Sequence, residues 1–269
     1  MLQRMAPHLK LGMFGSKTIG ASGEEAADAL VVASGAGGGS LFEQARRRSA
    51  KSVVAFIGLS VLACEPNPPQ AKPATPSSAR YLAIGDSFTI GTGSSPSEAF
   101  PARLVERWRA HGCNVELKNI GVNGYTTEDV IREELPVLET YRPTFVTIAA
   151  GANDIVQGRS EDEYRTSLRK IFVAAKASGA RVVALPQPDW SQSPVASAFG
   201  DRAAIAKRIR RYDTILAEEA RASGATFIDE RPEPGVVAGD GLHPSASAHD
   251  AWATAIVNAM GLSDACRSS

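Results

Sequence analysis

The chain carries few of the residues that bind metals or nucleic acids. Of its 269 residues three are cysteine (Cys64, Cys113, Cys266) and four are histidine (His8, His111, His243, His249). None lies in a Cys-x-x-Cys or His-Glu-x-x-His pattern, the spacings that set two ligands on one ion, so neither a metal site nor a cofactor is expected. His111 is expected to end a helix and His249 to lie on one, both at the surface. The 29 Lys and Arg balance the 29 Asp and Glu, for a formal net charge of zero. With no basic surplus, the electrostatic footprint of a nucleic-acid binder is missing. The apolar run from Val53 to Ala63 is too short to span a bilayer.

That run has another use. Arg46-Arg47-Arg48-Ser49-Ala50-Lys51 precedes it and Cys64 follows it, the order of a basic region, an apolar core and a processed cysteine in a lipoprotein-type signal peptide, residues 46–63. Val61-Leu62-Ala63-Cys64 resembles a bacterial lipobox, which makes Cys64 the expected lipidation site and the protein an extracytoplasmic, cell-envelope lipoprotein. Residues 64–79 are proline-rich (Glu65-Pro66-Asn67-Pro68-Pro69, Lys72-Pro73-Ala74-Thr75-Pro76) and read as a semi-rigid tether to a membrane surface. Residues 1–45 show no sustained period and include Gly35-Ala36-Gly37-Gly38-Gly39, a flexible stretch. They are read as a low-complexity extension. A translation start downstream of Met1, at Val31, Val32 or Leu41, is the alternative.

Chemistry gathers in four later blocks. Ser87 follows the apolar run Tyr81-Leu82-Ala83-Ile84 in Gly85-Asp86-Ser87. Near the other end stands Asp240-Gly241-Leu242-His243. A serine hydroxyl needs a positioned base, and the base an orienting acceptor, so a serine at a strand exit plus a close Asp/His pair are the parts of a nucleophilic triad. Asn119-Ile120-Gly121-Val122-Asn123-Gly124 and Gly151-Ala152-Asn153-Asp154 each follow a strand-like run. A glycine N–H and an asparagine amide suit the stabilisation of an oxyanion. Taken singly, these are ordinary turn tripeptides and loop caps. All four blocks are expected at the carboxyl ends of strands, the edge where open α/β sheets bind ligands.

Together they resemble the SGNH hydrolases, the GDSL-type esterases and lipases, over residues 80–262, leaving 263–269 as a tail. The resemblance maps onto Ser87 in Gly-Asp-Ser-Phe, Gly124 in Asn-x-Gly-x-x-Gly, Asn153 in Gly-x-Asn-Asp and His243 in Asp-x-x-His-Pro. Phe88 stands where many members carry Leu. No Gly-x-Ser-x-Gly elbow is present, which disfavours the α/β-hydrolase arrangement. The resemblance implies Ser87 as nucleophile, His243 as base and Asp240 as its orienter. The Ser87 and Gly124 N–H groups and the Asn153 amide would surround the oxyanion, and Asp154 would brace its loop. The expected activity is carboxylic-ester hydrolysis on a small-molecule, lipid or carbohydrate ester. An O-acyltransferase using the same acyl-enzyme and a catalytically silent envelope-tethered binding module are the alternatives.

Helix and strand signals alternate through this region. Helices are expected from Pro101 to Gly112, from Thr126 with a possible split at Pro136, from the Ser160–Glu163 capping box to Gly179, from Arg202 to Ala222, and over Trp252 to Met260. Strands at residues 81–84, 115–118, 145–150, 182–185 and 226–228 complete βαβ units. The expected fold is a flavodoxin-like three-layer α/β/α sandwich on a five-stranded parallel sheet. The segment Pro186 to Pro194, with Asp189 and Trp190, is expected to overhang the site as a substrate-facing loop, a rigid surface turn being the alternative. In this fold the first and last helices share a face, so Cys113 and Cys266 are candidates for a disulfide.

Overall fold

The computed structural model describes residues 78–261. The apolar runs form strands β1 (Ala79–Gly85), β2 (Val115–Asn119), β3 (Phe145–Ala149), β4 (Arg181–Ala184) and β5 (Thr226–Phe227). They make one five-stranded sheet in the order β2-β1-β3-β4-β5, with every pairing parallel. All of β3 is buried, because helices cover both faces of the sheet, and its sequence is correspondingly a near-continuous apolar run. The edge strand β2 alternates instead, with Val115 buried and Glu116 exposed.

Helices fill the connections. α1 (Ser87–Ile90) and α2 (Phe100–Ala110) join β1 to β2, and α3 (Thr127–Asp129) and α4 (Val137–Tyr141) join β2 to β3. α5 (Ala152–Val156) and α6 (Glu161–Ala177) precede β4, α7 (Arg202–Ala222) precedes β5, and α8 (Ala246–Met260) follows it. Alternate strand residues face opposite layers. Tyr81, Ala83, Phe145 and Val183 pack with Leu104, Trp108, Trp252 and Ile256 of α2 and α8. Leu82, Ile84, Val146 and Ile148 pack with Leu168, Phe172, Ile209 and Leu216 of α6 and α7. The result is the flavodoxin-like α/β/α sandwich the sequence predicts.

Local chemistry sets the helix ends. Ser160 and Glu163 form the expected capping box, and Asp201 accepts a hydrogen bond from the Ala204 N–H at 2.8 Å to start α7. Thr126 and Asp129 form a second capping box. That helix does not continue regularly. Residues Val130–Glu134 take a π turn, the Leu135 N–H donates to the Val130 carbonyl at 3.1 Å, and α4 resumes after Pro136. Proline has no N–H to continue the ladder, so the break falls at the expected residue.

His249 differs from expectation. It is fully buried on α8 rather than at the surface, and its Nδ1 accepts the Phe100 N–H at 3.3 Å. Burial lowers its pKa to about 4, so it packs as a neutral ring beside Phe100 and Trp252. His111 is exposed and follows the last turn of α2, as expected. Cys113 is disulfide-bonded. Cys64, Cys266, the signal-like segment, residues 64–77 of the expected tether and the 263–269 tail lie outside the described residues, and Ala79, expected to close the tether, opens β1.

Candidate active site

The strand ladder aligns three of the four blocks. Gly85 pairs with Ala149, so β1 and β3 end level; β2 ends at Asn119 opposite Ala83, and the Val122 N–H beyond it still donates to the Gly85 carbonyl at 3.3 Å, so the residues that follow the three strands share one edge. At the end of β1 the chain turns sharply into α1. Gly85 has φ +154°, and a Cβ there would lie 2.2 Å from the Ala149 carbonyl oxygen and 2.3 Å from Thr89 Oγ1. Only glycine passes so close to the neighbouring strand. Asp86 caps α1 by accepting the Phe88 N–H at 3.0 Å, which sets Ser87 at the first helical position. The Ser87 N–H there has no place in the i→i−4 ladder and is available to a ligand. Asn119 ties β2 to this turn by donating its amide to the Thr89 carbonyl at 2.8 Å.

The fourth block sits differently from expectation. Asp240 and His243 do not directly follow β5. They lie at the tip of a hairpin-like loop closed by the Val237–Pro244 bridge, with the Ala238 N–H donating to the His243 carbonyl at 2.7 Å. Asp240 organises this tip. Its Oδ1 accepts the Leu242 N–H at 2.9 Å and the His243 N–H at 3.1 Å, and its Oδ2 lies 2.6 Å from His243 Nδ1. Partial burial pushes the Asp240 carboxyl up, but the His243 ring and the two amides more than offset that and hold it below the usual carboxylate range. An ionised carboxylate only accepts, so the neutral ring carries its proton on Nδ1 and keeps the Nε2 lone pair free.

Tertiary packing brings the loop to the serine. Phe88, next to Ser87, meets the His243 ring with centroids 5.4 Å apart. Beyond α1, a Cβ at Gly93 would lie 2.6 Å from Ala238 Cβ and 3.5 Å from both Asp240 Oδ2 and His243 Cβ. The missing side chain lets the two loops touch. Asn153, on the first turn of α5, donates its amide to the Tyr125 carbonyl at 3.0 Å, which ties it to the loop bearing Gly124. Gly124 has φ +82° and is exposed. Asp154 braces the same region. It is buried, accepts the Thr127 N–H at 2.9 Å and the Thr127 hydroxyl at 2.6 Å, and pairs with Arg159 at 3.1 Å. Beside these elements, a cleft of about 510 Å³ is lined by Ile90, Thr92, Pro96, Val122 and Asn123.

Asp189 and Trp190 are placed elsewhere. Trp190 is buried, with its indole N–H on Gln187 Oε1 at 2.9 Å and its ring edge-on to Phe199. Asp189 is engaged within its own turn by the Ser191 hydroxyl at 2.5 Å and the Gln192 amide at 3.0 Å. Asp189 borders a different cavity, of about 680 Å³, with Asp213, Arg221 and Arg231. Their segment instead backs the histidine loop, since a Cβ at Gly241 would lie 3.3 Å from Val195 Cγ1 and 3.6 Å from Pro194 Cβ. The rigid-turn alternative describes this segment better than a substrate-facing one.

Sequence reasoning passed over Glu134. It is 2% exposed and accepts the Gly85 N–H at 2.9 Å, directly behind the serine turn. The signal was present: Glu134 stands four residues from each of the buried Val130 and Leu138, a charge within an apolar helical stripe.

Comparison with known proteins agrees with this geometry. Residues 83–251 match the model of the GDSL-like Lipase/Acylhydrolase family. The chain is 27% identical over 168 residues to Esterase TesA of Pseudomonas aeruginosa, covering 62% of this chain and 80% of that protein. It is 28% identical over 179 residues to an arylesterase of Vibrio mimicus, covering 65% and 84%. A crystal structure of TesA superposes with a TM-score of 0.57 at 22% identity, covering 68% of this chain and 98% of that one. Axe2, an acetylxylan esterase from Geobacillus stearothermophilus, gives a TM-score of 0.55 at 20% identity, covering 68% and 94%. With a serine turn, an Asp–His loop and a glycine–asparagine pair gathered at one sheet edge, and with the family model spanning that whole region, the chain belongs to the GDSL-like lipase/acylhydrolase (SGNH) family and is a hydrolase of ester bonds.

Proposed function

We propose that the protein hydrolyses small carboxylic esters through an acyl-enzyme on Ser87, with His243 as general base and Asp240 as its orienter. The observation that carries this reading is the 2.6 Å contact between Asp240 Oδ2 and His243 Nδ1, on a loop packed against the serine turn. Ser87 Oγ attacks the ester carbonyl while its proton passes to His243 Nε2. The tetrahedral intermediate collapses, the ester C–O bond breaks, and the alcohol leaves with that proton. Water then attacks the acyl-enzyme, gives its proton to the same nitrogen, and the acid departs as Ser87 recovers its hydrogen. The oxyanion would be met by the Ser87 and Gly124 N–H groups and by the Asn153 amide hydrogen not given to Tyr125. The relatives named esterase and arylesterase support a small ester as substrate, and the 510 Å³ cleft beside α1 is where one side of it would lie.

A fluorophosphonate probe tests the assignment. It should label the wild type and leave Ser87→Ala unlabelled; equal labelling of both would overturn it. Free acid as the product, with no acylated acceptor, separates hydrolysis from acyl transfer. We also propose that the mature protein begins at a lipid-modified Cys64 and faces outward from the membrane, on the support of the basic-apolar-cysteine order and the tether beyond it. Mass spectrometry of the membrane-extracted protein should find the lipid on an N-terminal Cys64, and an unmodified Cys64 would reject the proposal.

A further inference from the structure

Behind the serine turn lies a pair of buried acids that hydrolysis does not itself require. Asp86 is 1% exposed and Glu134 2% exposed. Each uses one oxygen, Asp86 Oδ1 on the Phe88 N–H and Glu134 Oε2 on the Gly85 N–H. The other oxygen of each, Asp86 Oδ2 and Glu134 Oε1, is buried without a partner among the described residues. Two orphaned carboxyl oxygens on groups that flank one turn are costly if both groups are ionised. A proton on either group removes one of the two buried charges.

The surroundings favour that proton. The Asp86 charge acts on Glu134 from the turn, Asp154 acts on Asp86 from α5, and the Asp86 charge also reaches the Tyr164 phenol on α6. No cation acts on Glu134 among the described residues. Arg159 is engaged by Asp154 and Glu128, and Arg132 on the π turn is exposed and paired with Asp129 and Glu133. Burial raises Asp86 to about 7 and Glu134 to about 9. Glu134 is the last residue of the π turn. A helix that gains one residue in its ladder re-aims the side chains after it, and such turns recur at functional sites.

We propose that Glu134, held as a neutral acid behind the serine turn, is a positioning residue that fixes the Gly85–Ser87 turn, and that its ionisation beside the Asp86 charge releases the turn and slows catalysis. The carboxyl acts through the backbone and touches no substrate. Its grip on the Gly85 N–H sets the path from β1 into α1, and so both the Ser87 hydroxyl and the Ser87 N–H. A misplacement on the order of 1 Å can cost about a hundredfold in rate.

The inference rests on Ser87 as nucleophile, so the experiment separates the two. Wild type, Glu134→Gln and Glu134→Ala are compared in kcat and KM on p-nitrophenyl butyrate per probe-titrated site between pH 6 and 10, and Ser87→Ala is assayed per mole of folded protein. Infrared spectra at pH 7 are recorded alongside. Glutamine keeps an acceptor for Gly85 with nothing to ionise. It should retain kcat within about threefold of wild type and lose the alkaline fall in rate near pH 9, whereas alanine should lower kcat on the order of ten- to a hundredfold with KM within about twofold. The wild type should show a protonated-carboxyl band that weakens in Glu134→Gln. An alkaline fall that survives in Glu134→Gln, an undiminished band in that variant, or a wild-type kcat in Glu134→Ala would overturn the proposal. Should Glu134→Ala not fold, the Glu134→Gln profile and band decide alone. Full activity in Ser87→Ala would instead remove the nucleophile assignment, while the infrared result still reports on Glu134.

Discussion

Asp240→Asn tests the site most sharply, because the substitution keeps the shape of the side chain and reverses one hydrogen bond. Asp240 Oδ1 accepts two backbone amides of its own loop, and Oδ2 faces His243 Nδ1 at 2.6 Å. Asparagine can keep its oxygen on the two amides, which leaves its NH₂ facing the ring. Nδ1 must then accept, the ring proton moves to Nε2, and the nitrogen needed as base is blocked. Complete loss of the correct tautomer costs about 10⁴ in kcat, or about 5.5 kcal/mol at 1.36 kcal/mol per tenfold. The Asp240 side chain is 39% exposed, so water can support part of the ring population in the useful tautomer. The expected loss is therefore nearer 10³, about 4 kcal/mol. Steady-state kinetics on p-nitrophenyl butyrate, normalised by active-site titration, measures it, and a thermal melt should show little change because the loop bonds persist. A folded Asp240→Asn enzyme within about tenfold of wild-type kcat would refute the tautomer argument.

Three further outcomes are expected. Asn153→Ala should lower kcat by about 10²–10³ with a much smaller effect on KM, since its second amide hydrogen is proposed to meet charge that develops only in the transition state; a titrated variant within about threefold of wild type would leave Asn153 only its bond to Tyr125. Gly85→Ala should destabilise the fold by about 3 kcal/mol or more in urea unfolding, because its Cβ would lie 2.2 Å from a backbone oxygen that cannot move away. Stability should fall as pH rises, since acids whose pKa is raised in the fold stabilise it fully only below their ordinary values of 3.8 and 4.5, and that contribution is lost as pH climbs through about 7 for Asp86 and about 9 for Glu134. Urea midpoints from pH 6 to 9.5 should drop in the wild type and less steeply in Glu134→Gln, and parallel curves would show that Glu134 ionises alike in both states.

The sequence by itself determined the elements and the chemistry they carry. Apolar runs bounded by turn residues marked the strands, and the Ser160–Glu163 and Thr126–Asp129 boxes marked helix starts, because those signals are local and act within a few residues. The proposed site residues Ser87, Asn153, Gly124, Asp240 and His243 stood out because each block joins a polar side chain or a glycine N–H to a turn that can present it. The position of the Asp–His loop was not legible as a strand end, since the hairpin that holds it depends on Val237 meeting Pro244 and on Gly93 leaving room for Ala238. His249 looked like a surface residue on its own helix, and only the packing of α8 on α2 buried it. Trp190 was expected on a substrate-facing loop, and its burial against Gln187 and Phe199 depends on contacts that the local sequence does not show. Glu134 shows the boundary most clearly. Its spacing from Val130 and Leu138 was visible along the chain. Which amide its carboxyl would meet was decided by a π turn and by the approach of β1, since desolvation and hydrogen-bond partners are properties of the assembled layers.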